Sequence, residues 1–133
     1  MHPALLKIVN ERNLVSVMNN TKWKRFAKAI TAEKHLEPFV RSKDINDESI
    51  TGFSLNDWGF IDYNPAIFEW VDIDPIKRKR VGGLVPDIET DITSFIVSAL
   101  TESNVPYSKE GNYYRVWGYY VSGSVPTLSL IHI

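Results

Sequence analysis

The chain has 133 residues, a mass of 15.2 kDa, 44% hydrophobic and 23% charged residues, and a formal net charge of −1 at pH 7. That is the size and composition of one globular domain, too small for two independent cores and too apolar for wholesale disorder. Cysteine is absent, which excludes disulfides, thiolate metal sites and thiol catalysis, and no apolar run approaches the ~20 residues of a membrane helix.

Residues 4–12 predict a short helix, with Leu5, Ile8 and Val9 at i, i+3 and i+4. Leu14–Met18 either extends that helix or forms a short strand. Asn20 or Thr21 is the expected N-cap of the next helix, Lys22–Glu33, because its side-chain oxygen accepts from the free N–H groups of the first turn. Trp23, Phe26, Ala27 and Ile30 form the apolar stripe of that helix, and Lys22, Lys24, Arg25 and Lys28 lie away from it. Pro38 ends the region, Phe39–Arg41 reads as a short strand, and residues 42–57 read as a loop.

Asn64-Pro65 marks a turn before Ile67–Ile73. There Ile67, Glu69, Val71 and Ile73 share one face and Phe68, Trp70 and Asp72 the other. Apolar residues on both faces predict a central strand. Pro75 closes it. Lys77–Arg80 followed by Gly82-Gly83 reads as a turn or flexible connection, with Leu84-Val85 extended. The strongest helix runs from about Thr90 to Ser103, with Ile88, Ile92, Phe95, Ile96, Ala99 and Ser103 on one face. Asp87, Glu89 and Asp91 sit at its positive end, and Asn104 and Pro106 stop it. A turn at Glu110–Asn112 leads to a strand, Tyr113–Tyr119. Tyr113, Arg115, Trp117 and Tyr119 are expected on one face of it, and Tyr114, Val116 and Gly118 on the other.

The pattern predicts an α+β fold, with two to three helices on one face of a small, mainly antiparallel sheet. The expected core comprises Trp23, Phe26, Ile30, Trp70, Ile92, Phe95, Ile96, Val116 and Trp117. Residues 1–127 form the expected single domain. Residues 128–133 match the translation of a transposon-end sequencing adapter and are expected to be a non-native tail. The first residues show no basic stretch leading into a long apolar core, so a cytoplasmic protein is expected.

No catalytic constellation emerges. His2, His35 and His132 have no metal-like partner at i+3 or i+4. Ser122-Gly123-Ser124 lacks the frame of a nucleophile elbow, and there is no phosphate-binding glycine loop. Asp72-x-Asp74 could meet a divalent cation together with Asp62 or Glu69, as in a carboxylate-metal hydrolase, or lie on a solvated strand edge. Asp87-x-Glu89-x-Asp91 lacks the glycine and terminal glutamate of a calcium loop. No catalytic residue, metal ligand or cofactor is assigned.

Charge is strongly segregated: +6 over residues 1–43, −8 over 44–74, +4 over 77–80 and −4 over 81–102. Blocks of one sign either neutralise each other within the fold or direct a field at a charged partner. Aromatic residues, among them Phe53, Trp58, Phe60 and Tyr63, are threaded through the acidic block. Asp57, Trp58, Asp62, Glu69, Asp72 and Asp74 are the candidates for an acidic, aromatic partner-binding surface.

The run Asn19-Asn20-Thr21-Lys22-Trp23 is distinctive. With Phe68-Glu69-Trp70, Asp91-Ile92-Thr93, Asn104-Val105-Pro106-Tyr107 and Trp117-Gly118-Tyr119, it resembles a family of small bacterial domains of unknown function, over about residues 5–120. The resemblance implies a compact bacterial α+β domain without an established activity or site. Against that pattern, the acids at 72 and 74 fit a surface adapted to one partner better than they fit catalysis.

The leading expectation is therefore a non-enzymatic, protein-binding domain of the immunity type, which neutralises a toxin by laying an acidic surface in a basic cleft. It requires the acidic side chains to share a surface and to escape neutralisation by the chain's own bases. The alternative is a nucleic-acid module that uses Lys22, Lys24, Arg25, Lys28, Lys77, Arg78, Lys79 and Arg80.

Overall fold

A computed structural model describes residues 3–55 and 64–123, and the fold is α+β. Helix α1 (Pro3–Glu11) leads to strand β1 (Leu14–Ser16) and helix α2 (Asn20–Ile30). A 3-10 turn, Lys34–Leu36, precedes β2 (Val40–Asp44), and a second, Pro65–Ile67, precedes β3 (Phe68–Ile73). Then follow β4 (Ile76–Lys79), β5 (Ile88–Asp91), α3 (Thr93–Ser103), β6 (Tyr107–Glu110), β7 (Tyr113–Trp117) and β8 (Tyr119–Val121). Among the described residues no helix is long and apolar enough to cross a membrane.

The main sheet is antiparallel with order β2-β3-β7-β6, so β3 is central, as the apolar residues on both its faces predict; all six of its residues are buried. Helices α2 and α3 pack on one face. Phe26, Ile30, Ile96 and Leu100 from the helices meet Val71, Ile73 and Val116 from the sheet, and all are at most 1% exposed. Full burial stabilises each such side chain by about 1.5–3 kcal/mol relative to water. A smaller core joins Leu5 of α1, Leu14, Ile45 and Tyr119, and the Tyr119 hydroxyl donates to the Ala66 carbonyl at 2.6 Å. Ile67 touches both cores and ties α1 to the main layer.

Several local expectations shift. Helix α2 is capped one residue earlier, by Asn19, whose side-chain oxygen accepts from the Lys22 N–H at 2.8 Å. Strand β2 takes up residues expected to be loop. Residues 77–79, expected as a turn, are a strand, because β4 pairs antiparallel with β5 into a two-stranded arm. That pairing takes Thr90 and Asp91 out of the expected helix, which begins at Thr93. Ile88 is consequently 53% exposed instead of lying on the α3 core face, and Leu100 takes a core position there. Of the acids expected at the helix start, only Asp91 serves it, accepting from the Thr93 N–H at 2.8 Å. Asn104 does end α3, in the left-handed conformation at φ 55°.

Two irregularities set which side chains face which way. The β2–β3 register shifts between Lys43 and Asp44, so Glu69 is skipped in the pairing. A bulge of this kind reverses the alternation. Phe68 therefore packs on Trp23 (5.9 Å between centroids) in the main core rather than on the side of Trp70. The strand expected over Tyr113–Tyr119 breaks at Gly118, which sends Tyr119 into the small core. The break brings the backbones close: Gly118 N–H donates to the Glu69 carbonyl at 2.8 Å, and Val17 N–H donates to the Gly118 carbonyl at 3.0 Å. A Cβ on Gly118 would overlap the Phe68 carbonyl oxygen and crowd Trp23 Cζ2 at 3.2 Å. Trp117 and Phe95 are half-buried rather than fully in the core.

Gly118→Ala should accordingly destabilise the fold by about 2 kcal/mol or more, since rigid backbone stands in the way of the new methyl. Urea denaturation followed by tryptophan fluorescence measures this. A loss below ~0.5 kcal/mol, the usual range of a surface substitution, would show that the β7–β8 junction is not tight.

Candidate functional site

The face of the main sheet opposite the helices carries a row of charge. Arg41 on β2, Asp72 on β3 and Arg115 on β7 are direct cross-strand neighbours. Asp72 is 0% exposed. It accepts from Arg41 Nε at 2.9 Å and from Arg115 Nε and Nη2 at 2.7 and 3.0 Å. Each guanidinium is held by two rings. Arg115 lies 3.8 Å from the Trp70 ring centroid and 5.5 Å from that of Trp117; Arg41 lies 4.7 Å from Phe53 and 5.0 Å from Tyr113. Trp70 is thus buried as expected, but against an arginine instead of among the helices.

Glu69 is held differently. It accepts from Arg12 at 2.7 Å and from Lys43 at 2.9 Å. Burial pushes its carboxyl up, but the hydrogen bonds from Arg12 and Lys43 outweigh burial and hold it below the ordinary glutamate range. Asp74, 7% exposed, accepts from the Ile76 N–H and from Arg78 Nη1, both at 2.9 Å.

Glu69, Asp72 and Asp74 therefore do not form an exposed acidic surface. Each is turned inward onto cations of its own, and the three do not converge on a common point where a divalent ion could sit. Among the described residues no group of three or more His, Cys, Asp or Glu is arranged to hold a metal ion. Asp57, Trp58 and Asp62 lie outside the described residues. The cations Arg12, Arg41, Lys43 and Arg115 carry this internal neutralisation, and sequence reasoning missed them in that role. The signal was positional and present for one of them: Arg115 is the single charged residue in a strand that is otherwise aromatic and apolar.

The basic residues divide as well. On α2, Lys24, Arg25 and Lys28 are exposed and Lys22 is half-buried. On the arm, Lys77 donates to the Glu37 carbonyl at 2.6 Å and lies 5.8 Å from the Phe39 ring, while Arg78 is taken by Asp74 and approaches Glu89 at 4.0 Å. These two side chains anchor the arm to the body. Lys79 and Arg80, one step further out, are exposed and have no ion-pair partner among the described residues.

A groove of about 550 Å3 runs between this basic strand and the 3-10 turn Lys34–Leu36, within the size range of ligand clefts. Lys77, Arg78, Lys79 and Arg80 form one wall, Leu36, Phe39 and Ile92 supply apolar surface, and His35 stands at the rim. Beyond the groove, residues 80–87 join β4 to β5. Gly82 and Gly83 take φ of 100° and 56° there, which lets the chain reverse. The tip is apolar and uncovered: Leu84 is 104% exposed, Val85 61% and Val81 45%. A second groove, about 450 Å3, lies beside α1 around Arg12, Lys43, Asp47 and Glu48, but its two cations are already engaged with Glu69.

The molecule is a small α+β domain whose buried carboxylates are neutralised by its own bases and whose two-stranded arm bears exposed charge and exposed aliphatic side chains. The chain belongs to the family of unknown function DUF6678, which matches residues 5–123. No curated protein and no solved structure matches it.

Two consequences can be measured. Asp72→Asn leaves two half-buried guanidiniums facing one buried neutral amide, and should cost about 3 kcal/mol of unfolding free energy. A cost under ~1 kcal/mol would mean that the arginines turn to water without penalty. For Glu69 the sign follows from its lowered pKa. The stabilisation is present above the unfolded-state value and is lost as pH falls through the lower folded-state value. Glu69→Gln should therefore be less stable than the parent at about pH 7, with the gap closing toward about pH 3. A gap independent of pH in urea titrations would contradict the assigned pairing.

Proposed function

We propose that the chain acts by binding another protein, without catalysis, and that the β4–β5 arm is the surface it binds with. The observation that carries this reading is the set of exposed aliphatic residues Val81, Leu84, Val85 and Ile88 beside the exposed Lys79 and Arg80. Contiguous apolar residues held in water at the end of a projecting element are costly unless a partner covers them. Apolar anchors within a charged rim are the usual composition of a recognition surface.

An immunity-type role, in which the partner is a toxin, is one form of this reading. Framed on an acidic surface it would need Glu69, Asp72 and Asp74 outside, whereas these residues serve the interior. Framed on the arm, the partner offers an acidic, apolar surface instead of a basic cleft. The nucleic-acid reading keeps Lys24, Arg25, Lys28, Lys79 and Arg80 as exposed charge. It gives no role to four exposed aliphatic side chains, and the phenyl ring in the groove, Phe39, is half-buried beneath Lys77.

A photo-crosslinking amino acid placed at Val85 in the native cell tests the proposal. The expected product is a discrete, nuclease-resistant protein adduct that falls about fivefold when Lys79 and Arg80 are both changed to Glu. A nuclease-sensitive adduct would overturn the reading in favour of nucleic acid. An adduct from Ser98 on the outer side of α3, with none from Val85, would move the binding surface elsewhere.

A further inference from the structure

Strand β4 is paired on one side only: among the described residues, β5 is its sole neighbour in the two-stranded sheet. The direction of its free backbone groups follows from the register. Ile92 N–H donates to the Pro75 carbonyl at 2.8 Å, which continues the register Ile76↔Asp91, Lys77↔Thr90, Arg78↔Glu89, Lys79↔Ile88 by one step. Hydrogen-bonded and non-hydrogen-bonded pairs alternate in an antiparallel ladder. Pro75, Lys77 and Lys79 therefore point their backbone groups at β5, and Ile76 and Arg78 point theirs away. The Ile76 N–H is used by Asp74. The Arg78 N–H and the carbonyls of Ile76 and Arg78 remain on the open edge.

The groove lies along this strand. Its lining takes the four consecutive residues Lys77 to Arg80 of this strand and reaches across the arm to Thr90 and Ile92. Leu36, Phe39 and Ile92 supply apolar surface within reach of alternate side chains of a chain laid in it. The charge of the edge specifies the occupant. On its other side β4 already accepts a strand bearing Glu89 and Asp91, with Arg78 opposite Glu89.

We infer that the open edge of β4 takes an extended acidic segment of a partner protein as a third strand, with carboxylates toward Lys79 and Arg80 and apolar residues toward Leu36 and Phe39. This rests on the reading of the arm as a protein-binding surface. A second copy of the chain would offer its own acidic β5. That contact would be heterologous and would not close, so it would build filaments instead of a defined complex.

The probes are three synthetic peptides: alternating Glu and Val, the same sequence with every second backbone nitrogen methylated along one edge, and alternating Lys and Val. The intact protein is titrated with each and followed by amide NMR. The Glu peptide should shift the Arg78 amide and show cross-strand contacts to β4. The methylated peptide should bind at least about tenfold more weakly, because it has lost its ladder donors, and the Lys peptide should not bind. The N–H that Arg78 presents on the open edge can be removed by substitution. Arg78→Pro removes that N–H without removing a β4–β5 bond, and should lose it. Methylation acts on the peptide alone, so the result does not depend on the proline variant folding.

Equal binding of the methylated peptide, or shifts confined to side chains, would overturn strand addition. A Val85 crosslink to protein together with no peptide binding would overturn it while leaving the arm reading intact. Tighter, salt-dependent binding of a DNA oligonucleotide at the same residues would overturn both. Concentration-dependent filaments in sedimentation would replace the partner segment with a second copy.

Discussion

A single carboxylate under the sheet constrains much of this protein. Asp72 lies on the central strand, out of water, between two guanidiniums supplied by the strands on either side. A buried charge without partners costs several kcal/mol, so β2 and β7 must present Arg41 and Arg115 at the one register where both reach it. A slip of one residue in either strand would carry an arginine to the face packed by α2 and α3. The arrangement adds little net stability compared with an apolar core of equal volume, but it makes wrong registers expensive. The rings of Trp70, Trp117, Phe53 and Tyr113 complete it by covering the arginines while leaving their N–H groups to Asp72.

This internal neutralisation lets the fold bury part of a strongly segregated set of charges. The acidic block of residues 44–74 and the basic residues on both sides of it in sequence meet inside the fold: Glu69 with Arg12 and Lys43, Asp72 with Arg41 and Arg115, Asp74 with Arg78. Such pairs hold distant parts of the chain together, since Arg115 and Asp72 are 43 residues apart. Lys79 and Arg80 stand further out along the arm, exposed beside the groove, and the aliphatic tip is exposed as well. The arm is thus anchored at its base by Lys77 and Arg78 and open at its end.

Much of the secondary structure was legible in the sequence. The stripe Trp23, Phe26, Ile30 has helical spacing, Asn104 is suited to a left-handed stop, and Phe68–Ile73 is apolar on both faces, so α2, the end of α3 and the central strand followed from local pattern. The arm did not. Lys-Arg-Lys-Arg next to Gly-Gly has no periodicity that distinguishes a turn from a strand, and its strand conformation exists only through pairing with residues 88–91. The same pairing shortened the expected helix, whose continuous apolar spacing from Ile88 gave no sign of a break. Only the bulge near Glu69 and the crowding at Gly118 redirected Phe68 and Tyr119, and both are contacts between segments far apart in the chain.

The class of the fold, the helix stripes and the opposed blocks of charge are all legible along the chain, because each depends on composition or spacing over a short stretch. Tertiary structure decided which charges are spent. Whether Asp72 faces water or Arg115 is a matter of strand register, and register is set by packing across the whole sheet. The candidate surface therefore moved from Glu69, Asp72 and Asp74, which the fold consumes, to the arm with its exposed basic and aliphatic side chains.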